Sequence, residues 1–415
     1  MLSALVARPG DGPLFLAVAA ALVLPAQQPT FRTAVERVVI DVQVVDDEGR
    51  PLDALTAADF EVRFDQHPRT VVSAQFVRVA ESDTPAAGAP ARAGDTTPGA
   101  NATSRGGRDF ILAVDESSFR TADVPAVMRA TRAFVDRLAP GDRVGLYTYP
   151  ASPRVFPLTP DHTSVAMELH RVVGTFQPPQ SRFHLSPAEI MDIESGNTDL
   201  VKTIAKRECF PDPMSQFECT KSILADANQI AATYESLAAT STNAVRQLLA
   251  ALNQDPSRKT VVLISGGLLA SDLVGGRPDI SRIVEMIAAD AAAARANVYA
   301  LHMDSRFLQA FSGGGGGSTR DAASVMRSVF RESSAFASGL ERLAGAAGGA
   351  LIHVEAGAED RAFQRILRET SGYYLLSVEP LPDDRDGRLH YISVKTSAKG
   401  AEVRARRTVI VPAAR

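Results

Sequence analysis

Hydrophobic and polar positions along this chain follow two rhythms, one framing the other. From Val35 onward, Val38, Ile40, Val42 and Val44 alternate with Val39, Asp41, Gln43 and Val45, the period-two pattern of a strand with one buried face. Asp46-Asp47-Glu48-Gly49-Arg50-Pro51 supplies turn chemistry, and Phe60 to Phe64 and Val71 to Val79 read as further strands. This predicts a small N-terminal β unit over 30–80. Residues 81–107 are rich in Ala, Gly, Pro, Ser and Thr without periodicity, the composition of a flexible linker.

From 108 to 371 apolar strands alternate with helical spacing. Phe110 to Val114, Val144 to Tyr149, Thr260 to Ile264, Asn297 to Leu301 and Ala350 to Val354 read as strands, with Arg154 to Leu158 as a short edge strand. Val124 to Leu138, Ser164 to Val173, Asn243 to Asn253, Ile280 to Arg295, Leu340 to Ala347 and Arg361 to Thr370 read as helices. Strands that are apolar without alternation are covered on both faces, which predicts a doubly wound, mostly parallel α/β sheet. Residues 178–240 interrupt the series as a helical insertion around a Cys-containing loop. Alternation returns over 372–412. A three-stranded unit would leave an apolar face exposed, so this C-terminal β unit is expected to pair with 30–80 as one β-sandwich.

Composition narrows the partners. With 44 Lys+Arg against 48 Asp+Glu the net charge is -4, which gives no positive footprint for nucleic acid. Arg8 precedes the uncharged run Leu14 to Leu24, which ends at Pro25-Ala26 before Gln27-Gln28. That run is shorter than the ~20 residues that span a bilayer, so residues 1–26 are expected to be a signal peptide, with an uncleaved anchor as the alternative. No other stretch approaches spanning length, and the mature chain is expected in a secreted, periplasmic or envelope setting. There Cys209 and Cys219, the only 2 Cys, are expected to pair as a disulfide; in the cytoplasm they would be free thiols.

The sequence carries none of the common catalytic signatures: His-Glu-x-x-His, Gly-x-Ser-x-Gly and the phosphate-loop pattern are all missing. His302 with Asp304 at a strand end is the most suggestive pair, but it lacks a neighbouring nucleophile pattern. The five glycines Gly313 to Gly317 read as a loop with no strand leading into it. Arg404, Arg406 and Arg407 read as a protective charged sheet edge, with a binding patch as the alternative.

The run Arg108 to Phe119, through Asp115-Glu116-Ser117-Ser118, resembles the first strand and metal-site loop of a von Willebrand factor type A (VWA) domain. Leu138 to Leu146, Arg258 to Leu268 and Ala296 to Leu301 resemble its companion pieces in order. Asp41 to Pro51 with Leu55 to Phe60 resembles the leader of exported bacterial proteins built on that domain, notably those of acidobacteria. The resemblance implies a divalent-cation site of Asp-x-Ser-x-Ser, a second-loop Thr and an Asp after the fourth strand. Asp115 and Ser117 match the first two ligands, and Thr240 or Thr242 offers the second-loop hydroxyl. Phe119 stands at the third position and Gly266 replaces the outer Asp, so the site reads as degenerate at Asp115, Ser117 and Thr242. No resident cofactor is expected; weak Mg2+ or Mn2+ binding, helped by Glu116, is the alternative.

These readings favour an exported, non-enzymatic, adhesion-type module for a protein or cell-envelope component. The alternatives are a secreted hydrolase using the insertion, with His184 beside Asp192 or Glu194, and a structural envelope protein.

Overall fold

The computed structural model describes residues 37–79, 102–104, 107–150, 153–271, 275–304, 319–354 and 359–413. The signal-like segment, the five glycines and most of the linker lie outside the described residues. In chain order the strands are β1 (Val38–Val45), β2 (Phe60–Phe64), β3 (His67–Val79), β4 (Ala102–Ser104), β5 (Asp109–Asp115), β6 (Arg143–Tyr149) and β7 (Arg154–Thr159). They continue as β8 (Lys259–Ser265), β9 (Ala296–His302), β10 (Leu351–His353), β11 (Gly372–Glu379), β12 (Leu389–Thr396), β13 (Glu402–Ala405) and β14 (Thr408–Ile410). The helices are α1 (Val124–Val135), α2 (His162–Glu168), α3 (Pro187–Glu194), α4 (Thr198–Glu208), α5 (Pro213–Leu252), α6 (Ser281–Ala293), α7 (Thr319–Ala346) and α8 (Glu359–Glu369).

Six strands form the α/β layer in the order β10-β9-β8-β5-β6-β7, parallel except for β7, which runs antiparallel to β6 at the edge. Every residue of β5, β8 and β9 is buried, as unalternating apolar runs require. One face packs Phe110 and Leu112 on Phe134 of α1 and Phe363 of α8. The other packs Ile111 and Leu263 on Val245 of α5, Ile287 of α6 and Leu340 of α7. The strand order reverses beside β5, so the carboxyl ends of β5 and β8 flank the crevice where such sheets take ligands.

The helix expected to start at Asn243 starts at Pro213 and runs unbroken for 40 residues. Asp212 caps it by accepting the Ser215 N–H at 3.1 Å, Pro213 occupies a first-turn position, and no Gly or Pro follows before Leu252 to stop it. The insertion is therefore two short helices packed on the first half of α5, around its own core of Ile190, Ile204, Ile223 and Tyr234. A disulfide joins Cys209 to Cys219 at its far end.

The expected β unit of the two terminal pieces is present, but a sandwich describes it only loosely. The two terminal pieces interleave in one curled antiparallel sheet, ordered β13-β1-β11-β3-β2-β12-β14. The C-terminal β11 lies between the N-terminal β1 and β3. Curvature comes from the 13-residue β3, whose start pairs with β2 and whose remainder pairs with β11, beside a register shift at Ser377/Val378. Val42, Val62, Tyr374 and Ile392 meet inside the curl. Ala102–Ser104, inside the stretch read as linker, adds β4 parallel to β3.

From Asp41 onward the second face of β1 is not solvated. Gln43, fully buried, donates to the Glu369 carbonyl at 2.9 Å and accepts from the Tyr299 hydroxyl at 2.9 Å, joining the curled sheet to the α/β layer. Arg406 belongs to the same seam: it is mostly buried and donates to the Ala292 carbonyl at 2.8 Å. Arg404 faces Glu369 and Glu402, so of the three arginines read as a free edge only Arg407 is exposed. No helix among the described residues is long and apolar enough to cross a membrane.

Candidate functional site

The carboxyl end of β5 delivers Asp115 into the crevice and a 3-10 turn, Glu116–Ser118, carries the chain away. The turn is held locally: Asp115 Oδ1 accepts the Ser117 hydroxyl at 2.7 Å and its N–H at 3.2 Å. The Ser118 hydroxyl donates to the Asp115 carbonyl at 2.8 Å. Two more elements complete the surroundings of the carboxylate. Ser241 of α5 donates to Oδ2 at 2.9 Å, and Ser265 at the end of β8 reaches it at 3.4 Å.

Asp115 is thus a buried carboxylate ringed by three serine hydroxyls. Burial pushes its pKa above the ordinary 3.8, against the opposing pull of those hydroxyls. Tyr149, paired across β6 with Asp115, is fully buried. Burial first, then the neighbouring Asp115 charge, pushes its phenol well above 10. A cavity of about 40 Å³ opens beside the carboxylate, lined among others by Ser117, Leu237, Ser241, Gly266 and Phe336. That is room for a few waters.

The structure brings Asp115 and Ser117 together, but Thr242 is elsewhere: its hydroxyl donates back to the Ala238 carbonyl within α5. Thr240 likewise donates to the Ser236 carbonyl. The hydroxyl that reaches Asp115 is Ser241, between them, because the helix rotates each successive side chain by about 100°. The family pattern points to the threonines, and the register that favours Ser241 exists only because α5 begins before them, at Pro213.

Glu116, considered as a helper for a cation, is committed to Arg154 at 2.7 Å and to the Val173 N–H at 3.1 Å. Phe119 is wholly buried in the α/β core. At Gly266 the missing side chain is matched by missing space: a Cβ there would meet the Ser118 carbonyl oxygen at 2.5 Å, while the Gly266 N–H donates to the Ser118 hydroxyl. The remaining oxygens are one carboxylate and neutral hydroxyls. Mg2+ demands near-octahedral oxygens and gives up water reluctantly, so these residues do not fit it well. Among the described residues no group of three His, Cys, Asp or Glu side chains is placed to hold a metal.

The insertion residues considered for catalysis each engage another partner. His184 is exposed and faces Glu208 at 3.2 Å. Asp192 pairs with Arg331, and Glu194 with Arg277. His302 and Asp304 are both buried at the end of β9, where the His302 ring meets His353 edge-on at 5.5 Å.

No family model matches the chain, and no curated protein matches it either. Solved structures similar to it include an aerotolerance-related membrane protein from Bacteroides fragilis NCTC 9343, at 14% identity, TM-score 0.29, over 63% of this chain and 100% of that one. The SpRpn10 VWA domain is similar at 12% identity, TM-score 0.25, over 62% of this chain and 93% of that one. The pilus adhesin SpaC from Lactobacillus rhamnosus GG is similar at 9% identity, TM-score 0.32, over 72% of this chain but 44% of that one. Likeness at this level carries no argument about function, and the fold rests on the strand order itself.

Proposed function

We propose that the chain is a VWA-type binding module of the adhesion class, working outside the cytoplasm. It engages a protein or cell-envelope component through the carboxyl-end crevice without a resident metal ion. The observation that carries this reading is Asp115: a carboxylate buried where the strand order reverses, surrounded by serine hydroxyls in place of charged ligands, beside a small cavity. The six-strand order with its antiparallel edge fits the VWA resemblance of the motifs. The Cys209–Cys219 disulfide fits an oxidising compartment. A hydrolase built on His184 loses support because Asp192 and Glu194 are engaged by Arg331 and Arg277.

The test is capture of partners from native envelope extract on immobilised protein. Capture is expected to survive chelator and to be lost in Leu237→Trp, which fills the cavity rim. Capture abolished by chelator would restore a metal-bridged mechanism. Failure to capture any partner would favour the structural envelope protein.

A further inference from the structure

Among the described residues no large apolar side chain is more exposed than Phe210 and Met214, at 79% and 74%, and Phe217 is 58% exposed. All three lie inside the loop that the Cys209–Cys219 disulfide closes. Phe210 sits between α4 and α5, Met214 in the first turn of α5, and Phe217 three residues further on the same helix face. The two cysteines pack against the insertion core, so the loop is tied down while its apolar side chains face outward. Met214 is about 40 Å along α5 from Ser241, which makes this a surface separate from the crevice.

The charges around the loop are asymmetric. Glu208 faces Arg207 at 2.8 Å, Glu218 faces Lys221 at 3.2 Å, and Asp212 caps α5. Lys221 also lies over the Phe217 ring, 4.2 Å from its centroid. Lys206, in the last turn of α4, is exposed and has no ion-pair partner among the described residues. The carboxylates are engaged, and the charge left over beside the patch is a cation. Size then separates the possible occupants. Covering the exposed parts of three such side chains removes roughly 400 Å² from water, about half of the ~800 Å² that each partner gives to a standard protein interface. A membrane interface asks for less, since shallow burial of a few apolar side chains with a cation at headgroup level suffices for contact.

We propose that the disulfide-closed loop docks on a lipid surface, with Phe210, Met214 and Phe217 entering the acyl boundary and Lys206 meeting headgroup phosphate. The contact is peripheral and reversible, because three side chains bury too little to anchor the chain permanently.

Flotation of the full-length protein with mixed phosphatidylethanolamine and phosphatidylglycerol vesicles tests it. The triple variant Phe210→Ser, Met214→Ser, Phe217→Ser is expected to bind about tenfold or more weakly than the parent, with its thermal transition retained because these side chains lie outside the core. The apolar run Leu14 to Leu24 is common to both chains, so the difference reads the loop alone. Lys206→Gln should weaken binding about fivefold. The chain has no Trp, so Phe210→Trp places a single fluorophore in the loop, and its emission should shift to the blue when vesicles are added. Unshifted emission, or equal flotation of the parent and the triple variant, overturns the proposal. A parent dimer in lipid-free sedimentation that the triple variant dissolves would assign the patch to a second copy instead. Capture from extract that the triple variant loses, with no vesicle binding by the parent, would assign it to a protein. Each outcome is independent of whether the crevice needs a metal ion.

Discussion

The two ends of the parallel sheet treat buried charge in opposite ways. At the amino end the two buried aspartates each meet an arginine. Asp142, 1% exposed, takes two Arg108 nitrogens and the N–H groups of Arg108 and Ala139. Asp109 takes Arg143 and the Ser257 hydroxyl. Lys259 is the exception there: its ammonium donates to the carbonyls of Asp255, Ser257 and Ala294, and burial lowers its pKa. At the carboxyl end, on the same strand as Asp109, Asp115 has hydroxyls and no cation. Compensated charges lock a seam and leave no capacity for a ligand. An uncompensated one is costly to keep, and it marks the end of the sheet that opens on cavities.

Substitutions at the two ends should therefore differ in size and in sign. The largest effect is expected at the closed end: Asp142→Ala strands the Arg108 guanidinium and two N–H groups, at a cost of about 3–5 kcal/mol in urea unfolding. A cost below ~1 kcal/mol would erase the distinction between the ends. Next comes Gly266→Asp, which restores the carboxylate that a metal site would want. Its Cβ would meet the Ser118 carbonyl at 2.5 Å, so a loss of about 1–3 kcal/mol is expected from overpacking, with no gain of Mg2+ affinity.

Asp115→Asn should act in the other direction. Because the folded-state pKa is raised above 3.8, the stabilising contribution of Asp115 is present below that value and is lost as pH rises through the folded pKa. Asn removes this loss, so the variant should gain stability relative to the parent between pH 4 and pH 7. Parallel unfolding curves across that range would show that the carboxylate is better compensated than its neighbours indicate.

The smallest effect is expected in the curled sheet. Burial of His390 disfavours its charge, but hydrogen bonds with Asp65 at 2.7 Å and Asp386 at 3.2 Å outweigh burial and raise its pKa above 6.5. Nearby Asp384 is paired with Arg69. The His390 contribution is present below 6.5 and lost as pH rises through the folded value, so His390→Gln should flatten a shallow fall in stability above neutrality. An unchanged slope would mean that the two carboxylates do not act on this histidine.

What the sequence makes legible follows from which signals are local. Unbroken apolar runs locate β5, β8 and β9 and the doubly wound sheet, because burial on both faces confines the polar residues to the strand ends. Alternation locates β1 and β11 but not their arrangement, since period two says that a face is covered without saying by what. Gln43 and Asp41 read as solvent-facing and instead lie against the α/β layer. The loop at Asp115 and Ser117 is legible from its own motif. Ser241 is not, because its role depends on the rotation of a helix that begins 28 residues earlier, at Pro213.

The central claim is that the crevice works without a metal ion. Isothermal titration of Mg2+ and Mn2+ into the full-length protein at neutral pH tests it most directly. The expected result is no saturable binding in the micromolar range, with Asp115→Ala indistinguishable from the parent. Micromolar binding that disappears in Asp115→Ala would contradict the account.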